Sequence, residues 1–186
     1  MGGATYQDVI DAPPHMVAEL VDGELYLQPR PAQPHTKAAS TLGMWIGGAY
    51  QLGRGGPGGW WIQDEPELHF DAQVLVPDLA GWRRGRAEPD LTAAYVEVAP
   101  AWICEVLLPS TRRHDRVRKL PVYARYGVAH AWLVDPLDET VEVFELDRER
   151  WTLWGARGGR ETVQLPPFQA LELPLDELWV PRLGGS

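Results

Sequence analysis

Ala101-Trp102-Ile103-Cys104-Glu105-Val106-Leu107-Leu108 is apolar at every position but one. An apolar run of this length reads as a strand inside the protein, and one carboxylate stands in the middle of it. Because side chains alternate across a strand, Glu105 shares a face with Ile103 and Leu107, and Trp102, Cys104, Val106 and Leu108 take the other. Glu105 loses much of its hydration there, which costs several kcal/mol unless a cation or hydrogen bonds compensate. A second apolar run, Val74-Leu75-Val76, ends in Pro77-Asp78. If the two strands are neighbours, Asp78 and Glu105 converge on one hard cation, with the backbone carbonyl of Val106 beside them. Mg2+ (or Mn2+) suits such oxygen ligation.

Working outward, Met16 to Gln28 reads as a hairpin about the Asp22-Gly23 turn. Pro29 to Pro34 is a proline-rich connection. From His35 to about Leu52 the spacing of Ala38, Ala39, Leu42, Trp45, Ile46 and Ala49 predicts a helix, ended by the glycine-rich loop Gly53 to Gly59. That loop lacks the lysine-serine/threonine ending of a phosphate-binding loop and is read as a connector. Short strands are expected at Trp60 to Gln63, Glu67 to Phe70 and Val74 to Val76. A basic loop should run from Gly81 to Pro89, with a further short element at Ala93 to Val98. Pro109-Ser110-Thr111 opens a second helix that reaches Tyr126 and stops at Gly127, with Pro121 either kinking it or leaving a short first turn. Ala131 to Val134 and Thr140 to Leu146 form a hairpin around Asp135-Pro136-Leu137-Asp138. Short strands follow at Trp151 to Trp154 and Thr162 to Leu165, and Leu183 to Ser186 should fray. One mixed α+β domain, residues 1–186, with two main helices is the expectation.

The chain of 186 residues is long enough for one sizeable core, and 45% hydrophobic with 23% charged residues is ordinary for a globular protein. Its single cysteine excludes an internal disulfide framework and fits a small buried group in a reducing compartment. The N-terminus has neither the basic flank nor the apolar core of a signal peptide, and no apolar stretch reaches membrane-spanning length. The expectation is a cytoplasmic protein with no membrane partner. The nine tryptophans are read chiefly as core and sheet packing. Abundant proline and the absence of asparagine fit a thermophilic source and a GC-rich genome equally well.

A net charge of −9 argues against a nucleic-acid partner, because phosphate binding needs a cationic surface. The distribution softens that. Arg83, Arg84 and Arg86, with Arg112, Arg113, Arg116, Arg118 and Lys119, gather eight of the 17 basic residues into two short segments flanking the Glu105 strand. Arginine outnumbers lysine 15 to 2, so a lysine at 119 stands out. Asp115, Lys119 and Tyr123 are four apart, hence on one helical face if the kink allows. A compact ammonium can polarise a metal-bound water, a task for which a broad guanidinium is poorly suited.

Pro77-Asp78 followed by Glu105-Val106-Leu107 resembles the PD-(D/E)XK nuclease motif, with Leu107 where its final lysine would stand. A longer ordered series is more specific: Asp22-Gly23-Glu24, His35, Glu105-Val106-Leu107-Leu108-Pro109-Ser110-Thr111, Asp115, Lys119, Tyr123, Gly127-Val128 and Trp132-Leu133-Val134-Asp135-Pro136. Over roughly residues 17 to 146 it resembles the Uma-two family of restriction-endonuclease-like proteins. The resemblance implies a restriction-endonuclease-like core, a mixed β-sheet flanked by two main helices with extra C-terminal strands. It implies a Mg2+- or Mn2+-dependent endonuclease acting on DNA, with Asp78, Glu105 and the Val106 carbonyl at the metal. The missing lysine would come from the following helix as Lys119. Glu24 would add a third carboxylate, His35 a contact to phosphate, and Arg112, Arg113 and Arg116 a grip on the backbone. A homodimer or higher homo-oligomer would make two-strand cleavage geometrically natural.

Blander readings stand beside these. Glu105 would pair with an arginine across the sheet, Asp78 would close a turn, Lys119 would be a solvated helix residue and Glu24 would decorate the hairpin. His35 would cap or pack against its helix. Two other functions stay open: a non-catalytic nucleic-acid- or protein-binding module with a decayed site, and a metal-dependent hydrolase of small phosphate esters. The histidines lack zinc-ligand spacing.

Overall fold

The structure, a computed structural model, describes residues 3–29 and 32–181. The expected frayed tail at Leu183 to Ser186, and Arg30 and Pro31 of the proline-rich connection, lie outside the described residues. The chain opens with a one-turn helix that the sequence reading did not assign, α1 (Tyr6–Ile10), where the Asp8 carboxylate accepts the Thr5 N–H at 2.7 Å.

Asp22 and Gly23 adopt φ of 49° and 79°, the left-handed pair that a two-residue hairpin turn demands. They join β1 (Met16–Val21) to β2 (Glu24–Pro29), with Val21 opposite Glu24 and Glu19 opposite Tyr26. The predicted first helix is α2 (Gln33–Ile46), which buries Ala38, Leu42 and Ile46 and runs on into a wide π-helical turn, Gly47–Gln51. Next come β3 (Trp60–Asp64), β4 (Leu68–Phe70), β5 (Gln73–Leu75), β6 (Leu79–Arg83) and β7 (Trp102–Val106). The second helix is α3 (Arg112–His114), a π-helical turn Asp115–Lys119, and α4 (Leu120–Arg125). The remainder is β8 (His130–Asp135), β9 (Thr140–Asp147), β10 (Arg150–Gly158), β11 (Thr162–Val163) and β12 (Leu173–Pro174), closed by a 3-10 turn at Leu175–Leu178.

Two sheets meet. The larger has the order β10-β9-β8-β7-β6-β3 and is antiparallel except for β7 and β8, which the α3–α4 helix connects as a parallel pair. The smaller has the order β2-β1-β5-β4. Val76-Pro77-Asp78 is the short link by which the chain leaves β5 and enters β6, so it joins the two sheets.

All five residues of β7 are buried, and alternation sends them into two cores. Trp102, Cys104 and Val106 pack with Leu42, Ile46, Phe168 and Leu175. Ile103 packs with Leu120, Tyr123 and Leu133 beneath the second helix. Glu105 lies on this second face.

Two expectations need correction. Gly81 to Pro89 is not all loop, since Gly81, Trp82 and Arg83 end β6. Gly81 is required by packing rather than by a turn, because a Cβ there would meet Ile62 at 3.0 Å, Trp60 at 3.2 Å and Trp102 at 3.3 Å. The predicted kink at Pro121 is a widened turn instead. Proline has no N–H for the Val117 carbonyl, and the Leu120 N–H reaches back five residues to the Asp115 carbonyl. The segment Ala93 to Val98 contributes only a single bridge, Val96 to Leu68.

Candidate active site

The junction of the two sheets holds the buried charges. Lys119 Nζ lies 2.8 Å from Glu105 Oε1, 2.7 Å from Glu19 Oε1 and 3.9 Å from Asp115 Oδ1, and it donates to the Val76 carbonyl at 3.3 Å. Glu19, Glu105 and Lys119 are 0%, 3% and 2% exposed. Four elements supply the cluster: Glu19 from β1, Asp78 from the link before β6, Glu105 from β7, and Asp115 and Lys119 from the π turn. That turn puts both of its end residues on the buried face, and Tyr123, one turn on, donates its hydroxyl to Glu105 Oε1 at 2.7 Å.

Asp78 is held from two sides. Its Oδ2 accepts the Val106 N–H at 2.7 Å, and its Oδ1 lies 2.9 Å from His35 Nε2 in the first turn of α2. His35 Nδ1 is buried without a hydrogen-bond partner among the described residues. Glu19 is tied down more tightly still: Val76 N–H donates to its Oε1 at 2.8 Å, Gln28 Nε2 donates to its Oε2 at 2.9 Å, and His114 Nε2 stands 3.6 Å away. A small cavity of about 40 Å³ opens between His35, Asp78, Glu105, Val106, Thr111 and Lys119.

The electrostatics follow from burial. Loss of water pushes the Glu105 carboxyl well above its ordinary 4.5; Lys119 opposes this, and Asp115, Asp78 and Glu19 add to it. Burial also raises Asp115. For Glu19 burial pulls upward too, but Lys119, His114 and the Val76 amide outweigh it and hold its carboxyl below 4.5. Burial would discharge Lys119, yet Glu105, Glu19 and Asp115 keep it protonated well above its ordinary 10.5. Burial and the Glu105 charge push the Tyr123 hydroxyl well above 10.0, so it remains a donor. Three carboxylates thus stand around one ammonium, with Asp78 lining the same cavity, and acid charge outnumbers the lysine.

The donor chemistry fits a hard divalent ion. Asp78, Glu105 and Val106 line one cavity and offer oxygen ligands, and Mg2+ is commonly held by one or two carboxylates with water completing its shell. Among the described residues no three His, Cys, Asp or Glu side chains form a metal-holding group by themselves.

The structure brings together Asp78, Glu105, Val106, Lys119 and His35, all singled out from sequence. It sets Glu24 apart: that residue is at the hairpin turn, 62% exposed in its side chain, hydrogen-bonded by Tyr26 and 3.9 Å from Arg118. The carboxylate inside the cluster is Glu19, on the same hairpin face but deeper in β1. Its signal was present in Val17-Ala18-Glu19-Leu20-Val21, a lone carboxylate in an apolar strand, as at Glu105. Arg112 is drawn into the Asp135 turn, 2.8 Å from Asp135 and 3.8 Å from Asp138, and Arg116 is paired with Glu142. Arg113 is exposed with no ion pair among the described residues.

A mixed sheet flanked by two main helices, with extra C-terminal strands and an acidic cluster at the sheet junction, defines an α+β protein of restriction-endonuclease-like architecture. A solved structure titled a "putative nuclease belonging to DUF820", from Anabaena variabilis, shares this fold with a TM-score of 0.75 at 20% identity, covering 94% of this chain and 97% of that one. The model of the Uma2 family, described as "Putative restriction endonuclease", matches residues 4–176, and the chain belongs to that family. No curated protein matches the chain. No helix of the described residues is long and apolar enough to cross a membrane.

Proposed function

We propose that the chain is a metal-dependent endonuclease that hydrolyses phosphodiester bonds of DNA at the Asp78–Glu105–Lys119 site. Membership of a family described as restriction endonuclease supports the nuclease reading. The observation that carries the site is the ammonium of Lys119 buried against Glu105 at 2.8 Å beside a cavity that Asp78 also lines. It restores, from the helix, the cation that Leu107 leaves out of the strand.

Asp78, Glu105 and the Val106 carbonyl would hold Mg2+ or Mn2+. When bound, that ion supplies a water of lowered pKa and neutralises charge developing on the phosphoryl group. Lys119, kept charged by its carboxylate neighbours, orients the attacking water and faces the phosphoryl oxygens. Glu19 fixes Lys119 in place, and its bond from the Val76 amide locks the β5–β6 link that carries Asp78. His35 aims Asp78, and Tyr123 aims Glu105. Arg113 is the arginine of the second helix that remains open for a phosphate.

A second reading has a specific observation behind it. Arg112 and Arg116 are engaged with carboxylates, and the whole chain carries a charge of −9; both weaken the hold on a phosphate backbone and favour a non-catalytic nucleic-acid- or protein-binding module with a decayed site. Incubating plasmid and oligonucleotides with Mg2+ or Mn2+ separates the two. We expect nicking or cleavage by the wild type and its loss in Asp78→Ala and Glu105→Ala; cleavage by both variants at the wild-type rate would reject the site. RNA and nucleotide substrates run in parallel define the substrate class, and sedimentation with DNA tests for a homodimer.

A further inference from the structure

At the opposite end of β7 from Glu105 lies a second groove, of about 520 Å³. Its mouth is formed by Arg83 at the end of β6, Arg86 on the turn that follows and His130 at the start of β8. Among the described residues no acidic one lines it, although the chain as a whole carries a charge of −9. Its wall is small and apolar, Ala99-Pro100-Ala101 with Ala129. The floor is fixed by backbone bonds: Ala101 N–H donates to Gly81 O at 2.8 Å and His130 N–H to Ala101 O at 3.1 Å.

The arginines of the groove differ from all but Arg113 of those in the second helix. Arg112, Arg116, Arg118 and Arg125 all face carboxylates within ion-pair distance. Arg83 and Arg86 form no ion pair among the described residues. Arg83 instead lies over the Trp60 ring, 4.7 Å from its centroid, which orients the guanidinium without neutralising it. His130 Nδ1 is buried and has no hydrogen-bond partner among the described residues, while its Nε2 faces Glu145 at 3.7 Å. A cavity of a few hundred Å³ with an apolar wall and a few convergent polar groups has the form of a small-ligand site. Two free guanidinium groups select a phosphate ester, and the apolar wall selects a flat or greasy body attached to it.

We propose that this groove binds a nucleotide unit, with Arg83 and Arg86 on its phosphate and Ala99-Pro100-Ala101 against its base. The site is separate from the acidic cluster: Ala101 and Glu105 are four residues apart along the strand, roughly 13 Å at strand rise. The nucleotide comes either free or as part of a DNA strand, and the two sources are told apart by experiment.

The test is run in EDTA, so that its outcome is independent of cleavage. Calorimetry with AMP and with adenosine, and fluorescence anisotropy with a labelled 12-nucleotide single strand, are applied to the wild type, Arg83→Gln/Arg86→Gln and Arg160→Glu. Arg160 is outside the groove and controls for net charge. The wild type should bind AMP, DNA or both, in a salt-sensitive way, and adenosine more weakly than AMP. The double variant should lose about tenfold or more in affinity, and Arg160→Glu should keep the wild-type value. AMP that binds and displaces DNA identifies the nucleotide as the recognised unit; DNA binding without AMP binding assigns the groove to the strand backbone. Failure of the wild type to bind either probe overturns the proposal, as does equal binding by the double variant or an equal loss in Arg160→Glu. Should the double variant fail to fold by circular dichroism, Arg86→Gln, on an exposed turn, takes its place with the same criteria.

Discussion

Among single residues, one lysine is shared by several buried carboxylates. Lys119 is 2% exposed and within 4 Å of Glu19, Glu105 and Asp115. Removing the cation leaves buried acids without a partner, so Lys119→Met should lower the unfolding free energy by about 3–5 kcal/mol in urea titration. Glu105→Gln should do the opposite. Burial already pushes that carboxyl well above 4.5, so its ionised form costs stability in the metal-free protein. An acid whose folded pKa exceeds its unfolded one holds its proton more tightly when folded, and stability is lost as pH rises above the ordinary 4.5. In EDTA, Glu105→Gln should therefore melt above the wild type at pH 8, and the difference should shrink as pH falls toward 5. A gap that widens on acidification would contradict this. Stability gained with activity lost is the pattern of a strained functional group. Glu105, Asp78 and Lys119 were legible in sequence because each breaks its local pattern: two acids at strand positions and one rare lysine. Glu19 breaks its strand in the same way, but the nearby Asp22-Gly23-Glu24 motif drew the reading to Glu24, whose carboxylate stays near water.

The elements were legible where periodicity or turn chemistry is strong. The Asp22-Gly23 hairpin, α2 and the strand holding Glu105 all follow from the spacing of apolar residues. β6 was hidden because Gly81 and Arg83 look like loop residues in one dimension. The need for glycine arises from three side chains distant in sequence, Ile62, Trp60 and Trp102, all within 3.3 Å of the missing Cβ. Two of these are indoles with little freedom to move, so Gly81→Ala should destabilise by about 1–3 kcal/mol, measured by chemical denaturation. An unchanged midpoint would mean that the sheet yields there. The π turn was foreshadowed only as a kink, since sequence marks the missing N–H of Pro121 but not where the helix widens to absorb it. Its consequence is that Asp115 and Lys119, which bound that turn, both face the cluster.

For the whole molecule, two cores lie on opposite faces of one sheet and share β7 and β8. We expect them to unfold together, so tryptophan fluorescence and far-ultraviolet circular dichroism should give coincident transitions; separated midpoints would divide the chain into independent units. The sheet junction gathers acid charge and the far end of β7 gathers unpaired arginines, an asymmetry that the net charge of −9 conceals. We propose that the acidic cluster receives a divalent cation. Calorimetric titration of the metal-free protein with Mn2+ tests it most directly, with Asp78→Asn and Glu105→Gln beside the wild type. We expect saturable binding by the wild type that each substitution weakens roughly tenfold or more. Equal binding by all three proteins, or none by the wild type, would contradict it.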